Sequence, residues 1–257
     1  MTRLVRDTAS KVAPVTALFW ATKICATTLG ETGGDAVSMT LGLGYLAATG
    51  LFLLLFLATL AWQLAGRRYH PARYWLVILS TTTAGTTLSD FLDRTAHLGY
   101  PGGGALLLTS LLAVLAAWKL AAGRLSFDHV VDPKVEGFYW LAILVSNTLG
   151  TALGDFTADD LKLGFGGGAL VFGALLAGVL ALHLCTRAPK ALLFWAAFVL
   201  TRPLGAVLGD ALTKGHDQGG SALGTLPASL ALAAAVVGLI VLSGLRARGE
   251  AEPARRG

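Results

Sequence analysis

One pattern recurs four times along these 257 residues and dictates how the chain can be built. An aromatic residue followed by Trp opens each copy, and an Asp fifteen residues after the Trp closes it. The copies read FWATKICATTLGETGGD (19–35), YWLVILSTTTAGTTLSD (74–90), YWLAILVSNTLGTALGD (139–155) and FWAAFVLTRPLGAVLGD (194–210). A glycine-rich stretch follows each copy, and then a long uncharged apolar run. Trp20, Trp75, Trp140 and Trp195 are 55, 65 and 55 residues apart, so copies one and three, like two and four, are offset by 120. Self-similarity of this kind means one supersecondary unit reused. Here it divides the chain into two halves, residues 1–125 and 126–257.

The unit is a pair of helices made for lipid. Hydrophobic residues make up 54% of the chain and charged ones 14%, against about a quarter charged in soluble domains. Roughly 20 apolar residues cross a bilayer core of about 30 Å. The uncharged runs 43–62, 105–118, 169–185 and 222–245 approach that length. The fold class is therefore an all-α polytopic membrane protein of eight transmembrane helices, with spans near 14–35, 41–64, 74–92, 100–122, 138–156, 164–184, 190–211 and 222–244. The apolar stretch 12–21 is interrupted by Lys23 and lacks a cleavage site, so it reads as the first span rather than a signal. Each unit holds two spans, so all four units enter from one side and are parallel repeats.

Lys and Arg in the loops set the expected orientation. One side carries Arg3, Arg6, Lys11, Arg67, Arg68, Arg73, Arg124, Lys134, Arg187, Lys190, Arg246, Arg248, Arg255 and Arg256; the other has only Arg94, Lys162 and Lys214. Both termini are expected in the cytoplasm of a multi-pass cell-membrane protein, and the motif Asp residues near the outer face. The net charge of +5 sits in short loops and forms no folded basic face, which argues against nucleic acid. Cys25 and Cys185 suggest neither a disulfide framework nor a metal knuckle.

With its aromatic-Trp opening and TT-x-GE-x-x-GD closure, best kept in the first copy, residues 12–245 resemble a bacterial integral-membrane family. That family is built on the repeat called domain of unknown function 347. The resemblance implies four tandem two-span units and assigns no activity. Copies two to four replace the motif Glu with Thr86, Thr151 and Ala206.

Two features of the motif helix carry the functional expectations. Small residues stand ten and fourteen positions after each Trp: Gly30 and Gly34, Gly85 and Ser89, Gly150 and Gly154, Gly205 and Gly209. This spacing lets helices approach closely in lipid and predicts the odd-numbered helices as an inner ring. A polar column runs at four-residue spacing: Lys23, Thr27, Glu31, Asp35; Thr82, Thr86, Asp90; Asn147, Thr151, Asp155; and Arg202, then Asp210. Residues four apart share a helix face, and polar groups are costly against lipid, so the column should point inward.

Charges inside spans point to function. The leading expectation is a permease for a small solute or hard cation, or one coupled to protons. Lys23, Thr27, Glu31, Asp35, Asp90, Asn147, Asp155, Arg202 and Asp210 would line it, with Glu31 and Asp35 the candidate metal ligands. Oxygen ligands without thiolates or clustered imidazoles favour hard ions. Lys23 and Arg202 would compete with the cation, or else pair structurally with Glu31 and Asp210. The alternatives are a membrane-embedded enzyme using paired carboxylates on a lipid or isoprenoid substrate, and a scaffold or sensor. His97 and His216 are candidate accessory ligands. The motif tryptophans read as interface-belt anchors. The GGG runs at 102–104 and 166–168 lack the Lys and Ser/Thr of a phosphate loop, and nothing in the pattern calls for a cofactor. The lipid bilayer and a small ion or solute are the expected partners; the oligomeric state is not legible.

Overall fold

A computed structural model describes residues 11–66, 69–123, 125, 130 and 132–251. Arg3, Arg6, Arg67, Arg68, Arg124, His129, Arg255 and Arg256 lie outside the described residues, as does the side chain of Arg248. The described residues form eight long α-helices, two per copy of the motif. They are α1 (Ala17–Asp35), α2 (Tyr45–Leu64), α3 (Pro71–Asp90), α4 (Gly99–Ala122), α5 (Pro133–Asp155), α6 (Gly164–Cys185), α7 (Lys190–Thr213) and α8 (Thr225–Ala251). Five of them, α2, α4, α6, α7 and α8, are long and apolar enough to cross a membrane. The chain is a membrane protein. Helices α1, α3 and α5 are of similar length, but their Thr, Asn and acidic columns lower their hydropathy.

Local chemistry fixes the helix ends. The Thr16 side chain accepts from the Phe19 amide at the start of α1, and Asp132 accepts from the Lys134 amide at the start of α5. Pro71 and Pro133 sit in first turns, where the missing N–H costs nothing. At the other end α1, α3 and α5 stop at the motif Asp, but the chain runs on through one π-helical turn: Ala36–Thr40, Phe91–Thr95 and Phe156–Asp160. The amides of Leu41, Ala96 and Leu161 close these turns on the carbonyls of Ala36, Phe91 and Phe156 at 2.8, 2.7 and 3.0 Å. The following reversal needs positive φ at Gly44, Gly99, Gly164 and Gly219, each 24 residues after its Trp. Glycine takes that conformation without strain, which accounts for the glycine-rich stretch after each motif.

The helices pack in a cycle of contacts. Helix α1 packs on α3, α3 on α5, α5 on α7, and α7 back on α1. Each even helix lies against the odd helix that follows it: α2 on α3, α4 on α5, α6 on α7, and α8 on α1. Leu54, Leu112, Leu120, Leu170, Leu184 and Leu230 on the even helices remain exposed, leaving an apolar outer surface.

The main hydrophobic core lies at the Trp end of the bundle. Trp75 and Trp140 are buried there, and Trp20 and Trp195 are half-buried against Phe194 and Tyr139. The belt-anchor expectation is therefore corrected for the motif tryptophans. Their rings pack on Phe19, Tyr74, Tyr139 and Phe194 rather than facing a lipid–water boundary. The hydroxyls of Tyr74 and Tyr139 meet at 3.0 Å in its middle.

Candidate functional site

The polar columns of α1, α3, α5 and α7 meet one another and stack in levels from the Trp end to the Asp end. Their hydroxyls lie within reach of both their own and the neighbouring backbone. Thr82 donates to the Ala26 carbonyl at 3.3 Å, Thr86 to Gly30 at 3.1 Å and Thr27 to Thr201 at 3.1 Å. Glycines make such bonds reachable. A Cβ on Gly34 would lie 2.9 Å from Thr86 Cγ2, and one on Gly209 would lie 2.8 Å from Glu31 Cβ.

Lys23 lies deepest, fully buried. Its ammonium stands 4.3 Å above the Phe198 ring and donates at 3.5 Å to Asn147 Oδ1. The Asn147 amide donates in turn to Thr81 Oγ1 at 3.0 Å. One level on, buried Arg202 reaches from α7 across the bundle. Its Nη2 lies 2.9 Å from Glu31 Oε2 on α1, 2.6 Å from Thr86 Oγ1 on α3 and 2.6 Å from Thr151 Oγ1 on α5. All four odd helices are tied at this level.

The five acids end in two nests, each with its own base. In the first, Lys214 donates to Asp35 Oδ2 at 2.8 Å and sits 3.3 Å from Asp210 Oδ1. One oxygen each from Glu31, Asp35 and Asp210 lie within 4.8 Å of one another. In the second, Arg94 Nε is 3.2 Å from Asp90 Oδ1, and its Nη2 is 3.8 Å from Asp155 Oδ2. Arg94 also donates to the hydroxyls of Tyr45 at 3.3 Å and Tyr100 at 3.1 Å, and Tyr100 donates to Asp159 at 3.2 Å. Burial works against the Lys214 ammonium, but Asp210 and Asp35 outweigh it and hold its pKa above the ordinary lysine value. Arg94 is likewise held up against burial, chiefly by Asp90.

Set against the sequence expectations, Glu31, Asp35 and Asp210 come together beside Lys214, and Asp90 and Asp155 flank Arg94. The expected structural pairing is redistributed. Arg202 pairs with Glu31 rather than Asp210, Lys214 takes Asp210, and Lys23 has no ion pair among the described residues. Four bases, Lys23, Arg94, Arg202 and Lys214, face the five acids, where two were expected. His97 is exposed in a left-handed turn, and His216 Nδ1 lies 2.9 Å from the Gly220 carbonyl; neither pairs with an acid among the described residues. Sequence reasoning counted Arg94 and Lys214 as loop charges. The available signal was their spacing, four residues after a motif Asp in copies two and four.

Two of the cavities that border the bundle lie away from the motif acids. One of about 520 Å³ lies at the Trp end between α4 and α5, beside Ala122, Lys134 and Phe138. The other, of about 10 Å³, lies by Pro14, Tyr69 and Ser243. A salt bridge unforeseen in the sequence also closes the Trp end. Buried Lys11 donates to Glu136 at 2.7 Å, and Gln63 donates to the same carboxylate at 3.3 Å.

A family model described as Repeat of Unknown Function (DUF347) matches residues 18–69, 73–124, 138–188 and 193–248. These four matches coincide with the four copies of the motif and together span most of the chain. Comparison with curated proteins and with solved structures finds no match to this chain.

Proposed function

The chain belongs to the DUF347 repeat family, and from its site we propose that it is a membrane permease for a small hard cation or for protons. In this reading all eight helices cross the bilayer and α1, α3, α5 and α7 form the inner ring. Supporting it, the polar columns face each other while the even helices present leucines outward, as lipid demands. Both termini lie in the cytoplasm and the Asp end faces out. Of the three cations at the Asp end, Arg94 and Lys214 are spent on buried acids, which sharpens the asymmetry of loop charge.

The observation that carries the proposal is the nest of Glu31, Asp35 and Asp210. Three carboxylate oxygens lie within 4.8 Å of one another in a buried setting, with an ammonium on a flexible stem among them. Lys214 is a tethered cation. Its side chain is 21% exposed, so it can leave toward the Asp end and yield its place to a free ion. The tyrosine and tryptophan packing beyond Lys23 blocks the Trp end, which is the arrangement of an outward-facing or occluded transporter. All-oxygen ligation suits hard ions.

A membrane-embedded enzyme would find a unique centre in the singular Glu31 of copy one. That Glu has a partner in the equally singular Arg202 of copy four, so the asymmetry needs no separate active centre. The test is uptake of Mn²⁺ or protons into vesicles holding the purified chain. Asp35→Asn should cut the rate by at least about tenfold, the scale of one lost charged ligand, while Lys214→Gln should lower the half-saturating ion concentration. Undiminished flux in Asp35→Asn, with the variant folded, would overturn the permease reading.

A further inference from the structure

We infer that the middle of the bundle holds a site for one small monovalent anion of the halide class, between the side chains of Lys23 and Arg202. The site is distinct from the Lys214 nest, although Glu31 borders both.

Unmet donors carry it. Arg202 is fully buried, and a guanidinium has five N–H donors. Among the described residues only Nη2 is engaged, shared among Glu31, Thr86 and Thr151, while Nε and Nη1 have no hydrogen-bond partner. Lys23 is as deeply buried, with one long bond to Asn147, an aromatic face, and no carboxylate partner among the described residues. The two cations are neighbours by construction. Lys23 touches Asn147 and Phe198, and Arg202 touches Thr151, one turn beyond Asn147 on α5. Arg202 itself follows Phe198 by one turn on α7. One turn is roughly 5.4 Å.

Charge counts in the same direction. Among the described residues Glu31 is the one carboxylate in contact with this pair, and it touches only Arg202; Lys214 and Arg94 sit against the other four motif acids. A buried charge is tolerated when it is paired and hydrogen-bonded. The buried side-chain atoms left without a partner at this level, Arg202 Nε and Nη1, are both donors, so the fitting ligand is an acceptor and, to balance the charge, negative. Water would satisfy the donors and leave the charge unmet. Packing around the two bases is tight, with Gly150 against the Arg202 stem and Gly205 against Thr27, which favours a single-atom ligand over a carboxylate or phosphate.

The experiment uses the full chain in detergent, with chloride as probe and gluconate as the inert counter-anion at constant ionic strength. Chloride should raise the thermal unfolding midpoint saturably, with one site per chain. Lys23→Met should weaken that response at least about tenfold, as expected for a lost charged donor, and Asp35→Asn should keep it. Absence of a chloride response in the unaltered chain, or an equal response in Lys23→Met, would overturn the site. Should Lys23→Met fail to fold, crystals of the unaltered chain soaked in bromide decide. Anomalous density between Lys23 and Arg202 supports the proposal, and its absence there refutes it.

Discussion

Arg202 and Glu31 depart from the repeat together. Position Trp+7 is Thr, Thr and Asn in copies one to three and Arg in copy four; position Trp+11 is Thr, Thr and Ala in copies two to four and Glu in copy one. The closing contact of copy four on copy one brings the two exceptions to 2.9 Å. Asp93 is a different kind of exception, since it lies outside the motif and has no base of its own. Ser89 donates to its Oδ2 at 3.2 Å, whereas Oδ1 is buried without a partner against the first turn of α4 at Gly103. Burial raises its pKa from 3.8 to about 6, against the downward pulls of Ser89 and Arg94. A carboxyl with a higher pKa folded than unfolded takes up protons on folding. The cost of its charge is therefore absent below about pH 3.8 and complete above about 6. Asp93→Asn should stabilise the protein at pH 7.5 by roughly 1–2 kcal/mol, with the gain fading as the pH falls through 6 toward 4. Thermal unfolding of both proteins across that range measures it; a gain independent of pH would show that charge is not the cause.

Between helices, one contact is repeated four times with different side chains. The Trp+10 glycine of each odd helix meets the Trp+7 residue of the next: Gly30 on Thr82, Gly85 on Asn147, Gly150 on Arg202 and Gly205 on Thr27. One turn further on, the Trp+14 glycine of α1 meets the Trp+11 residue of α3, and adjacent glycines of α1 test the weight of that contact. A Cβ on Gly34 would come within 2.9 Å of Thr86, whereas one on Gly33 has nothing within 4 Å. Gly34→Ala should destabilise by about 1–3 kcal/mol, as overpacking does. Gly33→Ala should be neutral or stabilise by up to about 1 kcal/mol, because Ala is the better helix former. Unfolding midpoints of the two variants separate these outcomes, and equal midpoints would remove the contact's importance. The eight helices were legible because the motif and the apolar runs fall at fixed offsets from each Trp. The partner of each polar residue was not, because periodicity within a helix fixes its faces and leaves the height of its neighbour open. Arg94 and Lys214 were hidden for a related reason. The helical path continues one turn past the Asp, so residues that look like loop charges fold back onto carboxylates. Lys11 and Glu136 are 125 residues apart and outside the repeat, and nothing local links them.

At the scale of the whole molecule, parallel repeats could stack as an open row or close on themselves. The contacts of the last helix decide between these. In an open row α8 would have an unpartnered face and α1 would be a free end. Here α8 lies along α1, where Ser229 donates to Thr32 at 2.8 Å, and the Thr40 and Thr225 hydroxyls meet at 2.8 Å. Closure also places Glu31 against Arg202 and Asp35 against Lys214, so both the proposed cation nest and the central base pair exist only in a closed arrangement. The pair Thr32→Cys and Ser229→Cys, in a chain with Cys25 and Cys185 replaced by Ala, should form a disulfide under mild oxidation. With a protease site inserted at 126–129, the cut halves should then run together on a non-reducing gel and separate on reduction. The control pair Thr59→Cys and Ser80→Cys joins α2 to α3 within the first half, where the hydroxyls are 2.9 Å apart, and should cross-link without holding the halves together. Halves that separate without reductant, when the control has cross-linked, would mean that copy four does not return to copy one, and the site built at that seam would fall with it.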